Sequence, residues 1–212
     1  MEPLHQQYVD LVVNGPNGLF SKGDLERLRL HVEDGIRGSE LLAELGARSI
    51  VDVGSGGGVP GLQLAIELPA AEVRLVESQG WKAEFLHACA RALDLDSRVM
   101  VLPVRAEEAP AAIGREQLDA GTARALAAPL VVAEYLSPLV RVGGHLVLWS
   151  TTAQAQDALV AANDILGLGD PRIVPAATGL RDDGVRIVWP KVAPCAERVP
   201  RRTGVAARKP LR

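Results

Sequence analysis

At 212 residues, with 48% hydrophobic and 23% charged side chains, the chain has the make-up of one globular domain and is long enough to bury a full core. Its two cysteines, Cys89 and Cys195, are far apart and share no CxxC spacing, which argues against a disulfide framework or a zinc knuckle, and no metal is expected. The net charge of −3 hides an asymmetry: residues 198–212 hold six cations and no acid, leaving the rest of the chain at about −9.

The opening "MEPLHQQYVD" has an early acid and no basic run before an apolar core, and no stretch approaches membrane-spanning length. Neither export nor bilayer insertion is expected, and a reducing cytoplasm suits the cysteines. "SKGDLERLRLHVEDGI" pairs Ser21 with Asp24 in a capping-box pattern ahead of leucines near helical spacing. "SELLAELG" reads as a second short helix, capped at Ser39 and stopped at Gly46.

From there strands and helices alternate. "SIVDVG" reads as a buried strand and "GLQLAIEL" as a helix stopped by Pro69. "EVRLVES" precedes helix "GWKAEFLHACARALDL", "RVMVLPV" a short helix near Glu107, "LDAGTARA" helix "PLVVAEYLSPLV", and "GHLVLWS" helix "AQAQDALVAANDILG". Strands separated by helices pair in parallel through right-handed crossovers. The last two strands, "PRIVPAAT" and "GVRIVWPK", have only "GLRDDG" between them, so they form an antiparallel hairpin at the sheet edge. The expected fold is α/β with a mostly parallel seven-stranded sheet: a helical prefix at 1–46, a core at 48–191 and a basic tail at 192–212.

"VDVGSGGGVPGLQLAI" places Gly54, Gly56 and Gly58 between a strand and a helix, where an open α/β sheet binds ligands. Glu77 ends the next strand, about twenty residues on, where a carboxylate can accept both ribose hydroxyls of an adenosine. Nicotinamide dinucleotides and S-adenosylmethionine share that geometry. Asp52, just before the glycines, opposes a pyrophosphate but suits an amino group and a sulfonium, and Val59 and Pro60 displace the helix-packing glycine of the dinucleotide fingerprint. S-adenosylmethionine is therefore the expected cofactor.

These residues resemble the bacterial 16S ribosomal RNA guanine-N7 methyltransferases, the glucose-inhibited division protein B family. "DVGSGGGVPG" is similar to the family's D-V/I-G-S/T-G-x-G-x-P-G, including Pro60 and Gly61; "ESQGWKAEFL" is similar to E-S-x-x-K-x-x-F-L with one extra residue, aligning Glu77, Ser78 and Lys82. "VRAEE", "TARALA" and "PRRTGVAARKPL" resemble further segments of the family. The resemblance implies a Rossmann-like class I methyltransferase fold, with Asp52, Gly54, Gly56, Val59, Glu77, Ser78, Ala106, Glu107 and Arg124 at the cofactor. It departs in the prefix, where "NGPNGLFS" and "LHVEDGI" stand for longer motifs, keeping His31 and Asp34 but placing Gly35 where the family has a serine.

Guanine N7 already carries a lone pair, so the implied methyl transfer needs positioning and no general base, and Arg124 is the one side chain with a possible direct part. His31 and the tail cations Arg201, Arg202, Arg208 and Lys209 are the expected RNA contacts. The implied partner is 16S ribosomal RNA or the small ribosomal subunit, met by a monomer. Trp81 is placed to cover adenine. A methyltransferase of another substrate and a non-catalytic RNA-binding protein that kept the fold remain open alternatives.

Overall fold

The computed structural model describes residues 2–158 and 163–211, with the side chains of residues 157, 158 and 163 left aside. The chain begins with helices α1 (Pro3–Val13), α2 (Lys22–Glu26) and α3 (Leu28–Glu44), followed by β1 (Ser49–Val53), α4 (Gly61–Glu67), β2 (Glu72–Val76), α5 (Gly80–Ala92) and β3 (Val99–Leu102). A 3-10 turn (Ala106–Glu108) leads into α6 (Ala109–Ile113), β4 (Leu118–Arg124), α7 (Pro129–Leu136), β5 (Val140–Thr151), α8 (Thr152–Ala158), α9 (Asn163–Leu166), β6 (Arg172–Pro175), β7 (Gly184–Pro190) and α10 (Val205–Arg208). The middle of the helix expected over "AQAQDALVAANDILG", residues 159–162, lies outside the described residues.

The seven strands form one sheet in the order β3-β2-β1-β4-β5-β7-β6. β1 pairs in parallel with β2 and β4, β2 with β3, and β4 with β5, whereas β7 runs antiparallel to both β5 and β6. The terminal hairpin is thus where the sequence puts it, with β6 at the edge and β7 one place in. Strand order reverses between β1 and β4, and the crevice at such a reversal is where open α/β sheets hold ligands.

Alternation along β1 assigns its side chains to two cores. Ile50 joins α1, α3, α4 and α5 on one face through Tyr8, Val32, Leu42, Leu62 and Leu86. Val51 and Val53 join α6, α7 and the C-terminal segment on the other, through Val132, Leu136 and Val199.

The prefix differs from its expected form. Ser21 does cap α2, its side chain accepting from the Asp24 amide at 3.2 Å. Ser39 caps nothing: α3 runs unbroken from Leu28 to Glu44, and the Ser39 hydroxyl donates to the Ile36 carbonyl at 2.6 Å. Neighbouring Gly38 lies against the Trp149 ring, where any Cβ would collide. Tertiary packing therefore holds the helix through a local stop signal. α1 occupies the stretch considered above only for export, and buries His5, Tyr8, Val9 and Val12 on one face.

Candidate functional site

The loop between β1 and α4 is held by its own backbone. The amides of Gly54 and Ser55 donate to the Val76 carbonyl at 2.8 and 3.1 Å, and the Gly58 amide donates to the Ser55 carbonyl at 2.7 Å. Gly54 and Gly56 have φ of +75° and +54°, the left-handed region that a residue with a Cβ enters at a cost. The loop opens into a cavity of about 710 Å³, a size typical of small-molecule sites.

Glu77 faces this cavity from the end of β2. It is 6% exposed, one oxygen accepting from the Gly56 amide at 2.9 Å and the other from the Gln79 amide at 2.8 Å. Each carboxylate oxygen has capacity to accept a further hydrogen bond. Gly54, Gly56, Val59, Ser78, Ala106 and Arg124 line the same cavity, so seven of the nine residues implied at the cofactor meet there.

Asp52 and Glu107 do not line it. Asp52 shares the face of Ile50, turned under the loop toward α4, and is 1% exposed; its Oδ1 accepts from the Thr122 hydroxyl at 3.0 Å. Burial pushes its carboxyl up to about 6. The expectation of a carboxylate beside the sulfonium is corrected by this geometry: Asp52 supports the loop from below. Glu107 accepts the backbone amide of Gly204 at 2.8 Å, so its side chain holds the C-terminal segment rather than the cavity wall. Trp81 is also outside the cavity lining; it is half-exposed, with Lys82 Nζ 5.4 Å from its ring centre.

The far end of the cavity is a polar network built by α3, β4, β5 and β7. Arg124 Nη2 donates to His31 Nδ1 at 2.7 Å and Nη1 lies 3.4 Å from Asp34 Oδ2. Arginine has only donors, so His31 Nδ1 is the acceptor and its proton sits on Nε2, directed at Asp24 at 3.2 Å. Burial, then the Arg124 charge, hold the His31 pKa below its ordinary value. Arg186 forms an ion pair with Asp34 and stands 4.5 Å over the Trp149 ring, while Trp149 Nε1 donates to the Asp34 carbonyl at 3.2 Å. Burial lowers the pKa of both guanidiniums and the Asp34 carboxylate opposes it. His31, expected at RNA, is instead 6% exposed and lies at this inner wall.

Sequence reasoning passed over Arg186 and Asp34 as working residues. The signal was available: an arginine within the apolar "GVRIVWP" is a buried charge, and a buried charge requires a partner. Leu126, which follows Ala125 at φ +53°, covers Gly54, where a Cβ would meet its Cδ1 at 2.7 Å. That closure depends on a loop conformation and has no sequence signature.

The C-terminal segment is packed along its length. Arg115 donates to the Val199 carbonyl at 2.6 Å, Arg201 pairs with Glu134, and Ala206 is buried against Val131 and Tyr135. Arg202, Arg208 and Lys209 are exposed. Gly204 ties the segment to Glu107, the neighbour of cavity-lining Ala106.

A family model described as rRNA small subunit methyltransferase G (GidB) matches residues 2–169. The chain belongs to this family. A ribosomal RNA small subunit methyltransferase G from Syntrophomonas wolfei is 36% identical over 201 residues, covering 93% of each chain. One from Parasynechococcus marenigrum is 38% identical over 184 residues, covering 82% of this chain and 71% of that one. An O-methyltransferase from Bacillus cereus in complex with SAH shares the fold with a TM-score of 0.66 at 17% identity, over 90% of this chain and 92% of that one. A SAM-dependent O-methyltransferase from Thermotoga maritima gives 0.63 at 16%, over 90% and 73%. The fold is that of the class I methyltransferases, and the family uses S-adenosylmethionine. Among the described residues no helix is long and apolar enough to cross a membrane.

Proposed function

We propose that this chain transfers a methyl group from S-adenosylmethionine to N7 of a guanine in 16S ribosomal RNA. The observation that carries the reading is Glu77, which joins the glycine loop and the cavity in one hydrogen-bonded unit within a chain of this family. The residues present fit the cofactor: a buried carboxylate with lone pairs free for two hydroxyls, glycines at positive φ where the ligand passes, and a cavity of matching size.

Bound S-adenosylmethionine would supply an activated methyl carbon for in-line attack by the N7 lone pair, the S–CH3 bond breaking with its electron pair left on the sulfur of S-adenosylhomocysteine and no proton to remove. The chain's own work is orientation. Glu77 would hold the ribose, Ala106 would border the adenine, and Gly54 would leave room for the methionine arm. Arg124, with two of its donors occupied by His31 and Asp34, directs the others at the ligand carboxylate or the guanine edge. Holding N7 and the methyl carbon near attack geometry supplies about 7 kcal/mol or more of the barrier reduction. Exposed Arg202, Arg208 and Lys209 bind RNA phosphates beside the cavity, releasing counterions. A target guanine in a loop, splayed out of its stack, can enter.

The test is mass mapping of ribosomal RNA from a strain lacking the gene, together with methylation of purified 16S RNA and small subunits by the protein. Loss of one 7-methylguanosine, restored by the protein in vitro, is expected. Unchanged 7-methylguanosine content would overturn the assignment.

A further inference from the structure

Gly57 lies at the centre of the glycine loop, between two residues at positive φ, Gly56 and Gly58. The peptide joining Gly57 to Gly58 is held at both ends. Its amide hydrogen, on Gly58, goes to the Ser55 carbonyl at 2.7 Å. Its carbonyl accepts the hydroxyl of Tyr8 at 2.6 Å, from a helix 49 residues earlier in the chain. Tyr8 is completely buried, and burial raises its pKa, so the phenol stays a donor throughout the physiological range. The Phe20 ring packs against the α-carbon of Gly57, where any Cβ would strike it. Further along, Gly35 of α3 lies against Gln63 of α4, where a Cβ would be 3.1 Å from that side chain.

Three consecutive glycines have many accessible backbone conformations, and without restraint a loop of this kind would be ordered only as the ligand binds. Glu77 restrains the Gly56 amide from the cavity side. From the opposite side the restraint comes from the helical prefix. We propose that Tyr8 is a positioning residue for cofactor binding: its hydroxyl fixes the Gly57–Gly58 peptide plane and presents the glycine loop in its ligand-ready form. The inference rests on the reading of this loop as the cofactor site. It gives the N-terminal prefix a part in cofactor affinity, separate from any contact with RNA.

Tyr8→Phe removes the hydroxyl alone and keeps the buried ring. Val9→Ala trims the neighbouring buried side chain of the same helix, which packs in the core, and serves as the control for simple loss of packing. Calorimetry with S-adenosylhomocysteine measures the loop without RNA or turnover, and steady-state kinetics separate the constants. For Tyr8→Phe the dissociation constant and the cofactor KM are expected to rise about tenfold, the scale set by a buried carbonyl losing its donor, with kcat and the RNA KM within about twofold of the parent. Val9→Ala is expected to lower the melting temperature and leave the dissociation constant unchanged. Binding by Tyr8→Phe equal to the parent, or an equal weakening by Val9→Ala, overturns the inference. A parent protein that binds no S-adenosylhomocysteine at millimolar concentration overturns the cofactor reading itself, and the inference with it.

Discussion

The guanidinium of Arg201 closes on the fully buried carboxylate of Glu134, Nε lying 2.8 Å from Oε1 and Nη2 lying 2.5 Å from Oε2, while the Arg201 amide donates to Oε1 at 3.0 Å. Its last turn of contact is to the Lys209 carbonyl at 2.8 Å. A cation bound this way serves the fold of the C-terminal segment, whereas its neighbours Arg202, Arg208 and Lys209 face solvent.

The two kinds of cation separate experimentally. Arg201→Ala leaves a buried carboxylate without its partner and is expected to lower unfolding stability by about 3 kcal/mol, read from the urea midpoint. Arg202→Ala and Arg208→Ala are expected to leave that midpoint unchanged and to reduce the slope of log K against log salt for RNA binding by about 1 each. An unchanged midpoint for Arg201→Ala would remove the structural role given to this pair.

Glu77→Gln tests the carboxylate at the ribose position. The amide cannot accept with the strength of a carboxylate, and its NH2 group faces a backbone amide that also donates. Affinity for S-adenosylhomocysteine is expected to fall by about 10- to 100-fold in calorimetry, the range for hydrogen bonds to a charged group. Affinity equal to that of the parent would dismiss Glu77 as the ribose acceptor.

The sheet was legible because its strands are apolar runs bounded by glycine and proline, and the hairpin because no helix fits within "GLRDDG". Two of the misplaced features share one cause, which is long-range contact. The family resemblance places Glu107 at the cofactor, yet the amide it holds belongs to Gly204, 97 residues later. Ser39 has the chemistry of a helix cap, yet α3 continues because Gly38 and Trp149 pack there. Asp52 is a different case. Strand alternation puts it on the face of buried Ile50, and following that period would have turned it away from the ligand.

Asp52 also makes a pH prediction. Its carboxyl is raised to about 6 by burial, above the unfolded value near 4, so the folded state binds the proton more tightly. Stability contributed by the protonated form is full below about pH 4 and is lost as pH rises to about 6, by up to about 3 kcal/mol. Asp52→Asn has no such titration. The stability difference between variant and parent is therefore expected to move in the variant's favour between pH 4 and pH 7.5, measured by urea unfolding at each pH. A difference independent of pH would place the Asp52 titration elsewhere.

His31 titrates with the opposite sign. Its folded pKa is lowered, because burial and Arg124 both disfavour the imidazolium, so the stability tied to neutral His31 is complete above the unfolded value of about 6.5 and is lost as pH falls through the folded value below it. Protonation also removes the lone pair on Nδ1 that accepts from Arg124, freeing that guanidinium from the wall of the cavity. Cofactor affinity of the parent is expected to weaken between pH 7.5 and 5.5, and His31→Gln, which cannot gain a proton, is expected to show a flatter profile. Calorimetry with S-adenosylhomocysteine across that range, run beside Asp52→Asn to separate the two titrations, decides the matter: parallel profiles for parent and His31→Gln would show that the imidazole does not control Arg124.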